Sequence, residues 1–387
     1  MEVEMEKVAE EAIHQEEAGR KRDRGNRGEV VAACAAAAVP RKKRYPTAEE
    51  FESMKQQLLA EMRRQAEEEE AEERAKYPDE DWSDVLAVEA REYRQFWESC
   101  WTGVFGTFET ITPIQPMRYT DQPVPIYATT HLPTLQIFTV KIRETRRGLQ
   151  WPLHVYGLVA VRDTIDHNRN IIFNRQRENC QTLTQEDPYL LLTGPTRAVV
   201  VCDSVYFEVV LKVKGSIESE DKDLSFLGVP LTDTQDGYDT RLINRDYTSK
   251  LSTLELTFGY VVRSVEATIK VQVTDGSWLG GFRGRVAAHT SSLEHNEVLL
   301  LDSGDEKMPI DVDGTINLSR CVASVEFDGE LKVSVVVFGI DRDEIKVVRA
   351  FRPKMAGTSI DKFEVDFCKM KVTVSWSYLS LHRGNYS

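Results

Sequence analysis

The residues best equipped for chemistry crowd into one stretch of this 387-residue chain, from Asp163 to Gln181. Asp163, Asp166 and His167 fall in a single interstrand loop, with Asp187 and Asp203 further along. Sandwich folds hold calcium by gathering carboxylates from loops at one end. Asp is also the ordinary turn residue, capping its own backbone two residues on, and so few carboxylates favour that turn chemistry. Arg162, Arg169, Arg175 and Arg177, among Asn168, Asn170, Asn174 and Asn179, present guanidinium forks suited to phosphate or carboxylate. Asp163, Asp166 and Glu178 are interleaved with them and would neutralise an edge strand kept soluble by charge. The candidate binding residues are therefore Arg162, Asp163, Asp166, His167, Arg169, Asn170, Arg175 and Arg177.

Cys180, His167 and Asp163 form the one Cys, His and Asp set close in sequence. Nucleophilic chemistry needs such groups within hydrogen-bond reach, which nearness along the chain does not supply. A strand cysteine packed as a small apolar residue is the plainer account. Glu89 and Arg91 resemble the Glu and Arg pair of ribosome-inactivating N-glycosylases, but residues two apart do not face each other on a helix. No catalytic residue is assigned, and a non-enzymatic protein is expected. The six cysteines, at 34, 100, 180, 202, 321 and 368, are scattered without the paired spacing of a zinc site or a disulfide scaffold. A reducing compartment is implied, and no metal or cofactor is expected.

Forty-nine basic against 63 acidic residues give a formal charge of -14, which repels phosphate backbones and anionic membranes. Nucleic acid is thereby set aside as a partner. The Ala-rich run from Val30 to Val39 is too short to span a bilayer and lies behind a charged stretch, so neither a secretion signal nor a membrane helix is expected. The location implied is intracellular, cytoplasmic or nuclear. Arg41 to Arg44, with Lys21, Arg22 and Arg24, suit an import signal as well as a chance basic run in a charged arm.

The elements that must position these groups change character along the chain. Residues 1–46 mix Glu, Arg and Ala without an apolar period and predict a disordered arm. Residues 47–101 predict one or two amphipathic helices. The first starts at Thr47, whose spacing to Glu50 makes a capping box. Its stripe of Phe51, Met54, Leu58 and Met62 would pair as a short coiled coil with a partner or dock on the chain's own β region. The second helix carries Trp82, Val85, Leu86, Tyr93, Phe96, Trp97 and Trp101 to about Cys100, a stripe that needs a surface to cover. Glycines and prolines make 102–132 a connector.

Beyond Leu132, short runs rich in Val, Ile, Thr and Phe alternate with turns: Leu135 to Ile142, Leu153 to Val161, Arg197 to Val201, Val205 to Val213 and Leu254 to Val262. A second series runs from Ala267 to Val273, Arg283 to Ala288, Glu297 to Leu301, Cys321 to Phe327, Glu330 to Phe338 and Met370 to Trp376. With no helices between strands, the expected fold is all-β, two antiparallel β-sandwiches in tandem over 133–262 and 263–381, with a tail at 382–387. The halves share short words. Arg197-Ala198-Val199 matches Arg320-Cys321-Val322, and Val140-Lys141-Ile142 matches Ile269-Lys270-Val271, as a duplication would leave and as β propensity alone also yields.

More specific words are Leu149-Gln150-Trp151-Pro152-Leu153, Tyr156-Gly157-Leu158-Val159-Ala160-Val161-Arg162-Asp163, Asp166-His167-Asn168-Arg169-Asn170, Asn179-Cys180-Gln181-Thr182-Leu183 and Leu301-Asp302-Ser303-Gly304-Asp305. Together they resemble the plant family called domain of unknown function 6598, from about Trp97 to Trp376. The resemblance implies a plant protein with an all-β C-terminal domain and a variable, charged N-terminal arm, and it brings no activity with it. The function expected is that of a binding or scaffold protein, its sandwiches presenting a recognition surface and its N-terminal helices meeting a protein partner. The rival is a calcium-dependent lipid binder, or an enzyme, using the Asp163 to Gln181 region.

Overall fold

A computed structural model describes residues 85–122, 131–202, 204–231, 239–279, 282–304, 306–339 and 344–381. The helix expected from Thr47, the Arg41 to Arg44 run, Trp82 and Asp203 lie outside the described residues. The described residues all belong to one unit, Ser83–Ser387.

Val85–Phe105 is a helix, α1. It runs on past Cys100 because Trp101 and Phe105 extend the stripe at i+4 from Trp97, and it stops where Gly106 takes φ +100, the left-handed conformation that closes helices. Ala90, Tyr93 and Trp97 form its buried face. Among the described residues no helix is long and apolar enough to cross a membrane.

The remaining described residues are mostly strand, in two sandwiches as expected. The first contains β1 (Thr134–Thr145), β2 (Leu153–Arg162), β3 (Asn170–Arg175), β4 (Gln181–Leu183), β5 (Val199–Val200), β6 (Val205–Val213), β7 (Lys222–Leu231), β8 (Arg241–Thr248) and β9 (Ser252–Val261). Its sheets run β5-β1-β9-β8 and β3-β2-β6-β7, with β4 also paired to β2. The second contains β10 (Ser264–Gly276), β11 (Arg283–Thr290), β12 (Val298–Asp302), β13 (Val322–Glu326), β14 (Leu331–Phe338), β15 (Glu344–Phe351), β16 (Ala356–Val365) and β17 (Cys368–Ser377), in sheets β13-β10-β17-β16 and β12-β11-β14-β15. All these pairings are antiparallel. Leaving β4 aside, the two orders correspond strand for strand, the correspondence a duplication leaves.

The cores follow from period-two alternation. In β17, Cys368, Met370, Val372, Val374 and Trp376 enter the second core, while Lys369, Lys371 and Thr373 turn away from it. Phe207 of β6 and Phe258 of β9 meet across the first sandwich with ring centroids 5.7 Å apart, and each fully buried ring stabilises by about 1.5–3 kcal/mol.

Strands absent from the sequence expectation are β3, β4, β7, β8, β15 and β16. All but β4 are terminal in their sheets, and β4 lies beside β3 on the same side of β2. An edge strand has one unpaired side and carries charge to protect it. β15 alternates between exposed and half-buried residues over most of its length, and β7, although mostly buried, carries Gly228 and Pro230, which break the apolar run by which a strand is read.

α1 lies on β7. A Cβ at Gly228 would stand 3.2 Å from both the Ala90 Cα and the Tyr93 Cδ1, so the bare glycine permits this approach. The aromatic stripe covers the chain's own sandwich. Tyr93 stacks on Tyr206 of β6 at 4.0 Å, and the fully buried Trp97 donates its indole N–H to the His167 carbonyl at 2.8 Å.

Candidate functional site

The loop between β2 and β3, with the strand ends that flank it, gathers six of the eight candidate residues, and it turns their charges on Arg197 and Glu208. Asp163 accepts from the Ile165 amide at 3.1 Å and Asp166 from the Asn168 amide at 3.2 Å, each capping its backbone two residues on. Both then accept from Arg197, which precedes β5: Nη1 lies 2.6 Å and Nη2 2.9 Å from the two Asp163 oxygens, and Nη2 lies 3.1 Å from Asp166. Arg162 donates through Nε and Nη2 to Glu208 of β6 at 2.9 and 2.7 Å, and Arg169 closes the other side of that carboxylate. Asn170 accepts from the Thr196 amide and donates to the Arg197 carbonyl. Three guanidinium groups thus meet three carboxylates, and all but Arg169 are buried.

The segment after α1 seals this network. Thr112 donates to Asp166 at 2.5 Å, and Arg169 exchanges main-chain hydrogen bonds with Thr110 and Thr112. The Arg162 guanidinium lies 4.0 Å from the Phe108 ring centroid, a cation–π contact out of water. His167 takes φ +52, unusual for a residue with a side chain, and its ring stacks on Trp101 at 4.1 Å. Asp163 and Asp166 therefore face a guanidinium. Among the described residues no three His, Cys, Asp or Glu side chains gather as metal ligands do.

Arg175 and Arg177 are not brought into this group, because β3 carries them to its far end. Arg177 grips Asp221 with two nitrogens at 2.8 and 3.1 Å, while the Tyr156 hydroxyl donates to the same carboxylate at 2.6 Å. Arg177 and Tyr156 hold the Asp221 carboxyl well below its ordinary range. Burial and then Asp221 push the Tyr156 phenol up to about 12. Arg175 donates to the Asn179 carbonyl at 3.4 Å. Cys180 sits beside Gln181, which pairs with Val155, whereas His167 follows the opposite end of β2. Seven residues of extended strand, Val155 to Val161, span roughly 20 Å, so the Cys, His and Asp set does not meet.

A different site lies where the sandwiches join, two residues after β9 ends. Arg320, just before β13, donates to the carbonyls of Ile137 and Phe138 at 2.6 and 3.4 Å, where the pairing of β1 with β9 is irregular. Gln136 accepts from the Ser324 amide, Thr134 bonds Ser264, and Phe138 enters the core of the second sandwich. Glu266 of β10 accepts the amides of Ala198 and Met117, both at 2.8 Å, and its burial raises its carboxyl above the ordinary range.

Beside this joint opens a cleft of about 620 Å³. Tyr189 and Leu191 line it from the first sandwich, in a segment whose Leu190 amide bonds the Val140 carbonyl of β1. Arg283 and Arg285 of β11 and Leu299 of β12 line it from the second, together with Arg320. Arg285 is ion-paired with Glu297. Among the described residues Arg320 has no carboxylate in contact and its buried Nε finds no acceptor, and burial pulls its guanidinium down to about 10.

A family model described as Domain of unknown function (DUF6598) matches residues 134–374. No curated protein matches the chain in sequence. Among solved structures, the paired C2 domains of Extended-Synaptotagmin 2 are similar at 10% identity and a TM-score of 0.23, over 70% of this chain and 99% of that one. Human GIVD cytosolic phospholipase A2 is similar at 11% identity and a TM-score of 0.25, over 65% of this chain and 30% of that one. At such TM-scores neither likeness bears on function.

Proposed function

The chain belongs to the DUF6598 family, and we propose that it is a non-enzymatic binding protein whose recognition site is the cleft between its two sandwiches. The observation that carries this reading is the cleft itself. Its volume of about 620 Å³ lies in the range of small-ligand sites, and apolar walls with a few convergent charges are how such sites are lined. The Asp163 to Arg177 stretch supports the same choice by contrast, since its charges are largely spent on partners within the chain. A binding role agrees with the separation of Cys180 from His167. An intracellular setting belongs to the same reading, supported by cysteines scattered singly along the sequence.

The experiment is a melting-temperature screen of the full chain against neutral, anionic and cationic amphiphiles, repeated on Leu191→Glu. Leu191 lines the cleft and is 37% exposed, so the substitution leaves the core intact. At least one class should raise the melting temperature of the wild type and not of the variant. Equal shifts in both proteins, or none in either, would overturn the reading.

A further inference from the structure

We propose that the cleft between the sandwiches takes a small amphipathic monoanion, its carboxylate set against Arg320 and its apolar body along Leu191, Leu299 and Phe138. This rests on the binding role proposed above and adds the ligand's chemistry.

Two arginines hold the same place in the corresponding strand orders of the two sandwiches. Arg197 and Arg320 each stand two residues before an edge strand, β5 or β13, and each is 3% exposed. Arg197 is compensated by Asp163 and Asp166 from the loop that leaves β2. The segment that leaves β11, residues 291–297, carries Glu294 and Glu297, and these pair with Lys332 and Arg285 rather than with Arg320. Taking a guanidinium out of water is costly unless an anion or a full set of acceptors meets it. Two main-chain carbonyls satisfy the Nη groups of Arg320. The Nε–H of each arginine lacks an acceptor, so the missing carboxylate is what sets Arg320 apart. An oxyanion entering the cleft would supply the charge that its counterpart already has.

The surroundings select the kind of anion. Arg283 and Arg285 share one face of β11 and add positive charge, but Glu297 offsets Arg285, and Asp187 and Asp302 also line the cleft. The three guanidinium groups and three carboxylates of the lining balance, so the cleft has no surplus of positive charge for a polyanion, and a single carboxylate at Arg320 is the anion it suits, a built-in discrimination against phosphates and nucleic acid. Leu191, Leu299 and Phe138 leave room for an apolar body beside the charged end.

Calorimetric titration of the full chain with decanoate, decanol, decylamine and inorganic phosphate tests this. Decanoate should bind at least about tenfold more tightly than the other three. Leu191→Glu should weaken decanoate about tenfold or more while leaving the unliganded melting temperature unchanged. Arg320→Lys gives a second reading where it folds, since it keeps the charge and loses the fork. Decanol or decylamine binding as tightly, with the same dependence on Leu191, would overturn the monoanion and leave the binding role standing. Phosphate binding as tightly as decanoate would overturn the apolar body. No binding by any probe, or binding indifferent to Leu191→Glu, would overturn both proposals.

Discussion

Arg320 of the second sandwich donates through Nη2 to the main-chain carbonyl of Ile137 in the first, at 2.6 Å. The bond crosses the joint between the halves and lands where β1 is irregular, between the stretch paired with β5 and the stretch bridged by Tyr189. A side chain thus fills a gap that no strand fills.

Replacing Arg320 with Met should loosen that joint. Stranding buried carbonyls costs about 1–3 kcal/mol each, and removing a charge that lacks an anion offsets part of it. The net loss expected is about 1–3 kcal/mol, read from the urea midpoint. An unchanged midpoint would mean that the joint is held elsewhere.

Asp163→Asn should cost more, about 3–5 kcal/mol, because it leaves a buried guanidinium with less than its compensating charge. Millimolar calcium should leave the wild-type midpoint where it is. A rise on adding calcium would show that these carboxylates are available to a metal.

Gly228→Val places methyl groups where the Ala90 Cα and the Tyr93 ring already stand, and overpacking of this kind costs about 1–3 kcal/mol. The effect should be local. Amides of α1 should exchange faster with solvent, while those of β10 and β17 keep their protection; uniform acceleration across both sandwiches would contradict this.

Asp221 sets an acid limb. Its folded carboxyl sits below the ordinary range, so the unfolded chain binds more protons, and stability rises with pH. The contribution is complete above about pH 4, where the unfolded carboxyl is ionised, and is lost as pH falls through the lower folded value. Asp221→Asn should therefore be less stable at pH 7, with the difference shrinking as pH drops below about 4. Parallel urea midpoints for both proteins across that window would refute it.

The sandwiches were legible because their central strands are buried on alternate residues and rich in Val and Ile, as β14 and β17 are. Edge strands were not, since β15 and β16 show mixed charge and no buried face along most of their length. Polar density drew attention to Asp163 through Arg177, and density is a local property. What those groups meet is not local: Glu208 lies 46 residues from Arg162, and Arg197 lies 34 from Asp163. The cleft was missed for the same reason, its lining being drawn from Phe138 to Arg320 with each piece ordinary in its own neighbourhood. One signal was present in the matching words Arg197-Ala198-Val199 and Arg320-Cys321-Val322, where a charged residue recurs before an apolar strand.

The two arginines are held differently, Arg197 by two carboxylates and the Ala198 carbonyl, Arg320 by main-chain carbonyls alone among the described residues. The acceptors of Arg320 belong to the main chain, so a change of side chain at 137 or 138 leaves them in place, and the link between the halves is written into the backbone, whereas the β2–β3 loop depends on the identity of Asp163 and Asp166.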